Sequence, residues 1–200
     1  MKRTLFAAFI GGLLLFIVQF LSWGLLNLHQ PAQQYTSRQD SILNFLQQQQ
    51  LPAGGYLMPN VPENASMQEY DQMLLAAEGK PWVSIQYHHR NNSRMGLNMA
   101  RGLATNILTV GLLCWILGRW RRPQFRSYFM AALFTGTIVF LNAPYTYHIW
   151  YQSFDLYAHL FDALAGWALC GVWLGWYLPG VQQKSTRPDW TAEASTMNID

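Results

Sequence analysis

The stretch "YTYHIWYQSFDLYAHLFDALAGWALCGVWLGWYL", residues 145–178, decides how this chain is read. Its second part, 156–178, is a run of apolar and aromatic residues long enough to cross a hydrocarbon core, which takes about 20 helical residues. Yet Asp155, His159 and Asp162 stand at its start. Spaced four and three apart, with Gly166 four further on, they fall on one helical stripe. Ionisable groups at the edge of a span are costly unless they face a bundle interior and find partners there. The stripe therefore marks the packing face of the helix and a candidate site together.

Three other apolar runs, 5–26, 97–117 and 128–143, read the same way. The first two are long enough; the third must borrow Ser127 and the aromatic residues after Pro144, or cross a thinned bilayer. Only 12% of residues are charged, and nine Trp, ten Tyr and eleven Phe are present, which is the composition of a membrane protein. A net charge of +3 gives no support to nucleic-acid binding. The expected fold is mainly α: a polytopic membrane protein with four transmembrane helices and a small α+β extracytoplasmic segment between the first and second.

Lys2 and Arg3, the loop arginines Arg119, Arg121, Arg122 and Arg126, and Lys184 and Arg187 all lie on one side of such a bundle. The positive-inside rule makes that side cytoplasmic. Both termini are then inside, while 28–96 and 144–155 face out. The run 5–26 is longer than a secretory signal core, and "SWGLLNLHQP" after it lacks a small-x-small cleavage site, so an uncleaved anchor is expected. The organisation reads as an anchor (1–27), an extracytoplasmic segment (28–96), a three-helix membrane region (97–178) and a disordered cytoplasmic tail (179–200).

Within 28–96, "TSRQDSILNFLQQQQ" puts Ile42, Leu43 and Leu46 on one face of an amphipathic helix. "LPAGGYLMPNVPEN" reads as an extended loop. Ser66 and Glu69 form a capping box before a helix over 67–78 that Gly79 closes. In "PWVSIQYHH", Val83, Ile85 and Tyr87 alternate with polar residues as in a short strand. A unit below about 70 residues seldom buries enough surface by itself. Cys114 and Cys170 both lie in spans and cannot staple it, so it must lean on the bundle, a metal or another protein.

On the second span Asn98, Arg101, Thr105 and Thr109 share a stripe. At 1.5 Å per residue, Arg101 and Asp162 lie at depths of about 6 and 9 Å, which predicts an Arg101–Asp162 pair with His159 beside it. Asn98, Arg101, Asn142, Asp155, His159 and Asp162 are the expected lining of an outward-facing polar pocket. The inner halves of the spans carry no strongly ionisable groups, which argues against a channel or pump. All five histidines, His29, His88, His89, His148 and His159, fall on the outer side. Imidazole is the commonest metal ligand, so His148, Asp155, His159 and Asp162 are the candidate ligands of a metal or haem. No Gly-rich phosphate loop, GxSxG, HExxH or CxxC is present.

The layout, with a long segment after the first helix, three clustered spans and "LFDALAGW" at 160–167, resembles that of uncharacterised four-span bacterial inner-membrane proteins. The resemblance implies a cell inner membrane and assigns no role to any residue. The function expected from the residues is that of an accessory or ligand-responsive membrane protein, docked through its outer segment on a membrane-protein partner or a second copy. No cofactor is needed for that role. The alternatives are a membrane-embedded metal or haem protein built on Asp155, His159, Asp162 and His148, and a transporter.

Overall fold

A computed structural model describes residues 2–120 and 123–185. Helix α1 (Lys2–Phe20) runs into a π-helical turn, Leu21–Leu25, and a short 3-10 turn follows at Gln30–Ala32. Then come α2 (Gln39–Gln48), β1 (Gly54–Met58), α3 (Met67–Ala77) and β2 (Val83–Tyr87). The described elements end with α4 (Met95–Leu117), α5 (Phe125–Phe140) with a π-helical turn at Leu141–Tyr145, α6 (Thr146–Trp150) and α7 (Leu156–Ser185). Two compact units result: residues 34–93, and the remainder, which contains α1 and α4 to α7.

Four helical stretches among the described residues are long and apolar enough to cross a membrane: Lys2–Leu25, Met95–Leu117, Phe125–Trp150 and Leu156–Pro179. The third, short in sequence, gains its length at Pro144. Proline has no N–H and its ring crowds the carbonyl four residues back, which normally kinks a helix. Here the turn widens to π geometry over Leu141–Tyr145, and α6 carries the helical path on to Trp150. Helix α7 passes Pro179 and continues to Ser185, so the unstructured tail expected from Pro179 does not start there. The rest of that expectation, 186–200, lies outside the described residues.

In the helical unit α1 packs against α4 and α7, and α7 against α5. Small residues at the contacts bring the backbones together. A Cβ on Gly12 would stand 2.5 Å from Ile107 Cα, and one on Gly136 would stand 2.6 Å from the Ala163 carbonyl oxygen. Ala7, Ala8, Leu15, Val110, Leu117, Ala132, Trp167 and Leu174 form the core, while Leu5, Leu108, Ile138 and Trp176 point outward. Asn106 donates to Gln19 Oε1 at 2.8 Å, tying the middle of α4 to the end of α1 through two amides.

The 34–93 unit holds the two strands, antiparallel, with Tyr56 opposite Ile85 and Met58 opposite Val83. Strand β2 falls where alternation places it; β1 lies inside the stretch read as a loop, because Gly54 and Gly55 hide its pattern. The capping box forms: the Ser66 amide donates to Glu69 Oε2 at 2.7 Å, and the Glu69 amide donates to Ser66 Oγ at 3.3 Å. Gly79 closes the helix end with φ +71°. None of residues 34–93 is buried.

Candidate functional site

The site grows from the way α1 ends. After the π-helical turn, Leu28 N–H donates to the Ser22 carbonyl at 3.0 Å. Asn27 sits at φ 50°, the left-handed conformation that asparagine tolerates better than other non-glycine residues. The chain therefore folds back along the helix it has just left, and His29 turns inward to 2% exposure. Its ring stacks on Trp23, with centroids 3.8 Å apart and planes 8° from parallel.

Both edges of that ring meet carboxylates from the start of α7. Nδ1 lies 2.8 Å from Asp155 Oδ2, and Nε2 lies 3.1 Å from Asp162 Oδ2. His159 Nε2 stands 3.3 Å from the same Asp155 oxygen, and its ring meets His29 edge to face at 4.8 Å. Asp155 occupies the N-terminal boundary of α7, where its carbonyl accepts the His159 N–H at 3.1 Å. The four-and-three spacing thus works as the periodicity predicts, aiming three groups at one point. Asp162 Oδ1 is buried and has no hydrogen-bond partner.

A neutral imidazole donates through one nitrogen and accepts through the other. His29 can donate to both carboxylates only as an imidazolium; otherwise one oxygen facing it must bear the proton. Two ionised carboxylates carry two negative charges, and a single protonated ring offsets one. Among the described residues no Lys or Arg pairs with Asp155 or Asp162. The cluster is rich in hydrogen-bond acceptors and, apart from His159, largely buried.

Beside it, over the seam where α1 meets α7, lies a cavity of about 620 Å³. Phe16, Met99, Phe140 and Trp167 supply much of its wall, and Gln19, Asn98, His159 and Asp162 are its polar points. Mostly apolar walls with a few converging polar groups suit a small amphiphilic ligand.

The expected site is partly assembled and partly replaced. Asp155, His159 and Asp162 meet, and Asn98 lines the cavity with the last two. Arg101 is exposed and forms no ion pair among the described residues, so the expected Arg101–Asp162 pair is absent; His29 takes its place. Asn142 is exposed on the π-helical turn and is not part of the lining. His148 instead accepts the Ser153 N–H at Nδ1, 3.1 Å away, and serves the turn between α6 and α7. It does not join the donor group formed by His29, Asp155 and His159. Only Asn27, a left-handed residue type placed right after an apolar run, signals in the sequence that His29 could return to the helices.

Comparison with protein-family models, with curated proteins and with solved structures gives no match.

Proposed function

We propose that this chain is a multi-pass inner-membrane accessory protein that docks a partner through its 34–93 unit and binds an amphiphile in its helical unit. In this reading both termini are cytoplasmic and 28–96 is extracytoplasmic, in keeping with the Lys and Arg distribution. The apolar exteriors of four long helices are solvated by lipid.

The observation that carries the reading is the absence of a buried residue anywhere in 34–93. Large apolar side chains there stay open: Leu43 is 58% exposed and Leu75 74%, with Ile42, Phe45 and Trp82 open as well. A folded unit that leaves such residues uncovered presents surface suited to another protein. The partner is a membrane protein or a second copy of this chain. The cavity beside Asp162 and His159 suits a ligand with a hydrocarbon body and a polar head, which makes docking open to control by that ligand.

A photo-crosslinking residue placed at Leu43 or at Leu75 of the full chain, in native membranes, tests the docking. One discrete protein adduct, lost when Ile42 is changed to Asp, is the expected result; an adduct of twice the chain mass makes the partner a second copy. Lipid-only or water-only products from both positions would overturn it.

A further inference from the structure

We infer that His29, Asp155 and His159 form the binding site of a divalent first-row transition-metal ion, with Asp162 holding His29 in the ligating tautomer. Neither the docking nor the amphiphile reading is needed for this.

One donor atom from each of the three residues falls within 4.8 Å of the others. Metal–nitrogen bonds of about 2.0–2.1 Å set tetrahedral donors about 3.3–3.4 Å apart. The observed 3.3 Å between His159 Nε2 and Asp155 Oδ2 already meets this, and the 2.8 Å between His29 Nδ1 and Asp155 Oδ2 opens with a small ring rotation. Two imidazoles and one carboxylate select ions such as Zn²⁺, Fe²⁺ or Co²⁺ over Mg²⁺ or Ca²⁺, which want all-oxygen shells.

The second carboxylate supports the assignment. A metal-bound histidine regularly donates its other ring N–H to a carboxylate, which fixes the tautomer and raises its basicity. Asp162 Oδ2 faces His29 Nε2 at 3.1 Å, leaving the Nδ1 lone pair for the ion. Trp23 fixes the ring plane by stacking on it.

Charge points the same way. Buried carboxylates need compensation, and no Lys or Arg among the described residues supplies it. A divalent ion on neutral rings cancels both negative charges. Three protein donors leave at least one position open, and His159, about a third exposed, is shared by the cluster and the wall of the cavity.

The test uses the full chain, untagged, purified in detergent, stripped with chelator and titrated with Co²⁺. The expected result is one ion per chain with a visible absorption band that Zn²⁺ displaces. His159→Ala, chosen because its partly exposed ring is the least structural of the three, abolishes the band. Asp162→Asn weakens binding by about 10–100-fold while keeping the band, and Asp162→Glu restores it. A double change of His88 and His89 leaves the band intact. No band in the wild-type chain, or an unchanged band in His159→Ala, overturns the site and makes the cluster a hydrogen-bonded latch between α1 and α7. Crosslinking from Leu43 and Leu75 is unaffected by that outcome, so the two proposals fail separately.

Discussion

The helical unit and the 34–93 unit use their apolar residues in opposite ways. In the first, each helix has a sealed side and an open one: Ala7, Ala132, Leu117 and Leu174 are sealed, while Leu108 and Trp176 stand open. In the second, nothing is sealed and the large residues on α2 and α3 remain uncovered. The contrast teaches that exposure has two meanings in one chain. In the proposed reading, the exposure along four long helices faces hydrocarbon, and that on the short α+β unit faces a protein partner.

The strongest way to sharpen that contrast is to remove the polar anchor of the helical unit. His29→Ala leaves Asp155 and Asp162 facing each other without the group that separates them. Leaving a buried polar group without its hydrogen-bond partner costs about 1–3 kcal/mol for each group, and more for a charged one. A large fall in the thermal midpoint of the detergent-purified chain is therefore expected. Adding Asp155→Asn and Asp162→Asn should recover most of the loss; no recovery would mean that packing against Trp23, rather than charge, sets the effect.

The next effect tests backbone contact. Gly12→Leu inserts a side chain where even a Cβ lies 2.5 Å from Ile107 Cα. Overpacking of this kind costs about 1–3 kcal/mol or more, read as a lower midpoint and as loss of the Gln19–Asn106 amide contact. Gly24→Ala is the control, since nothing stands within 4 Å of its added Cβ.

The smallest effect belongs to the other unit. The Ser66 backbone N–H, and then its hydroxyl, hold the Glu69 carboxyl below its ordinary value. A lowered carboxyl contributes to stability at pH above its ordinary value and loses that contribution as pH falls through the lowered one. The protection of the Ser66 amide relative to its intrinsic exchange rate, which itself falls in acid, should thus drop as the carboxylate is protonated, while Glu69→Gln flattens this dependence. The helical unit should show no change from Glu69→Gln.

Most of the helical architecture could be read from the chain because it depends on run length and periodicity. The four apolar runs became four long helices, and the spacing of Asp155, His159 and Asp162 put them on one face. The partner of that face could not be read this way. Depth arithmetic favoured Arg101, since it treats helices as parallel rods and ignores their rotation. His29 won because a left-handed Asn27 reverses the chain, and a reversal over 26–33 leaves no periodic signal. The third helix needed a widened turn at Pro144, which proline content alone does not announce. Strand β1 depends on pairing with β2 some thirty residues away, so its glycines looked like loop.

Cys114 and Cys170 are both sealed in the helical core, at 2% and 0% exposure. The native chain is consequently near-silent toward maleimide reagents, and a single cysteine introduced anywhere on its surface would be read against a dark background. Thr36, Ser84 and Ser127 can each be labelled in turn, from either face of a sealed vesicle, without first stripping the protein of its own thiols.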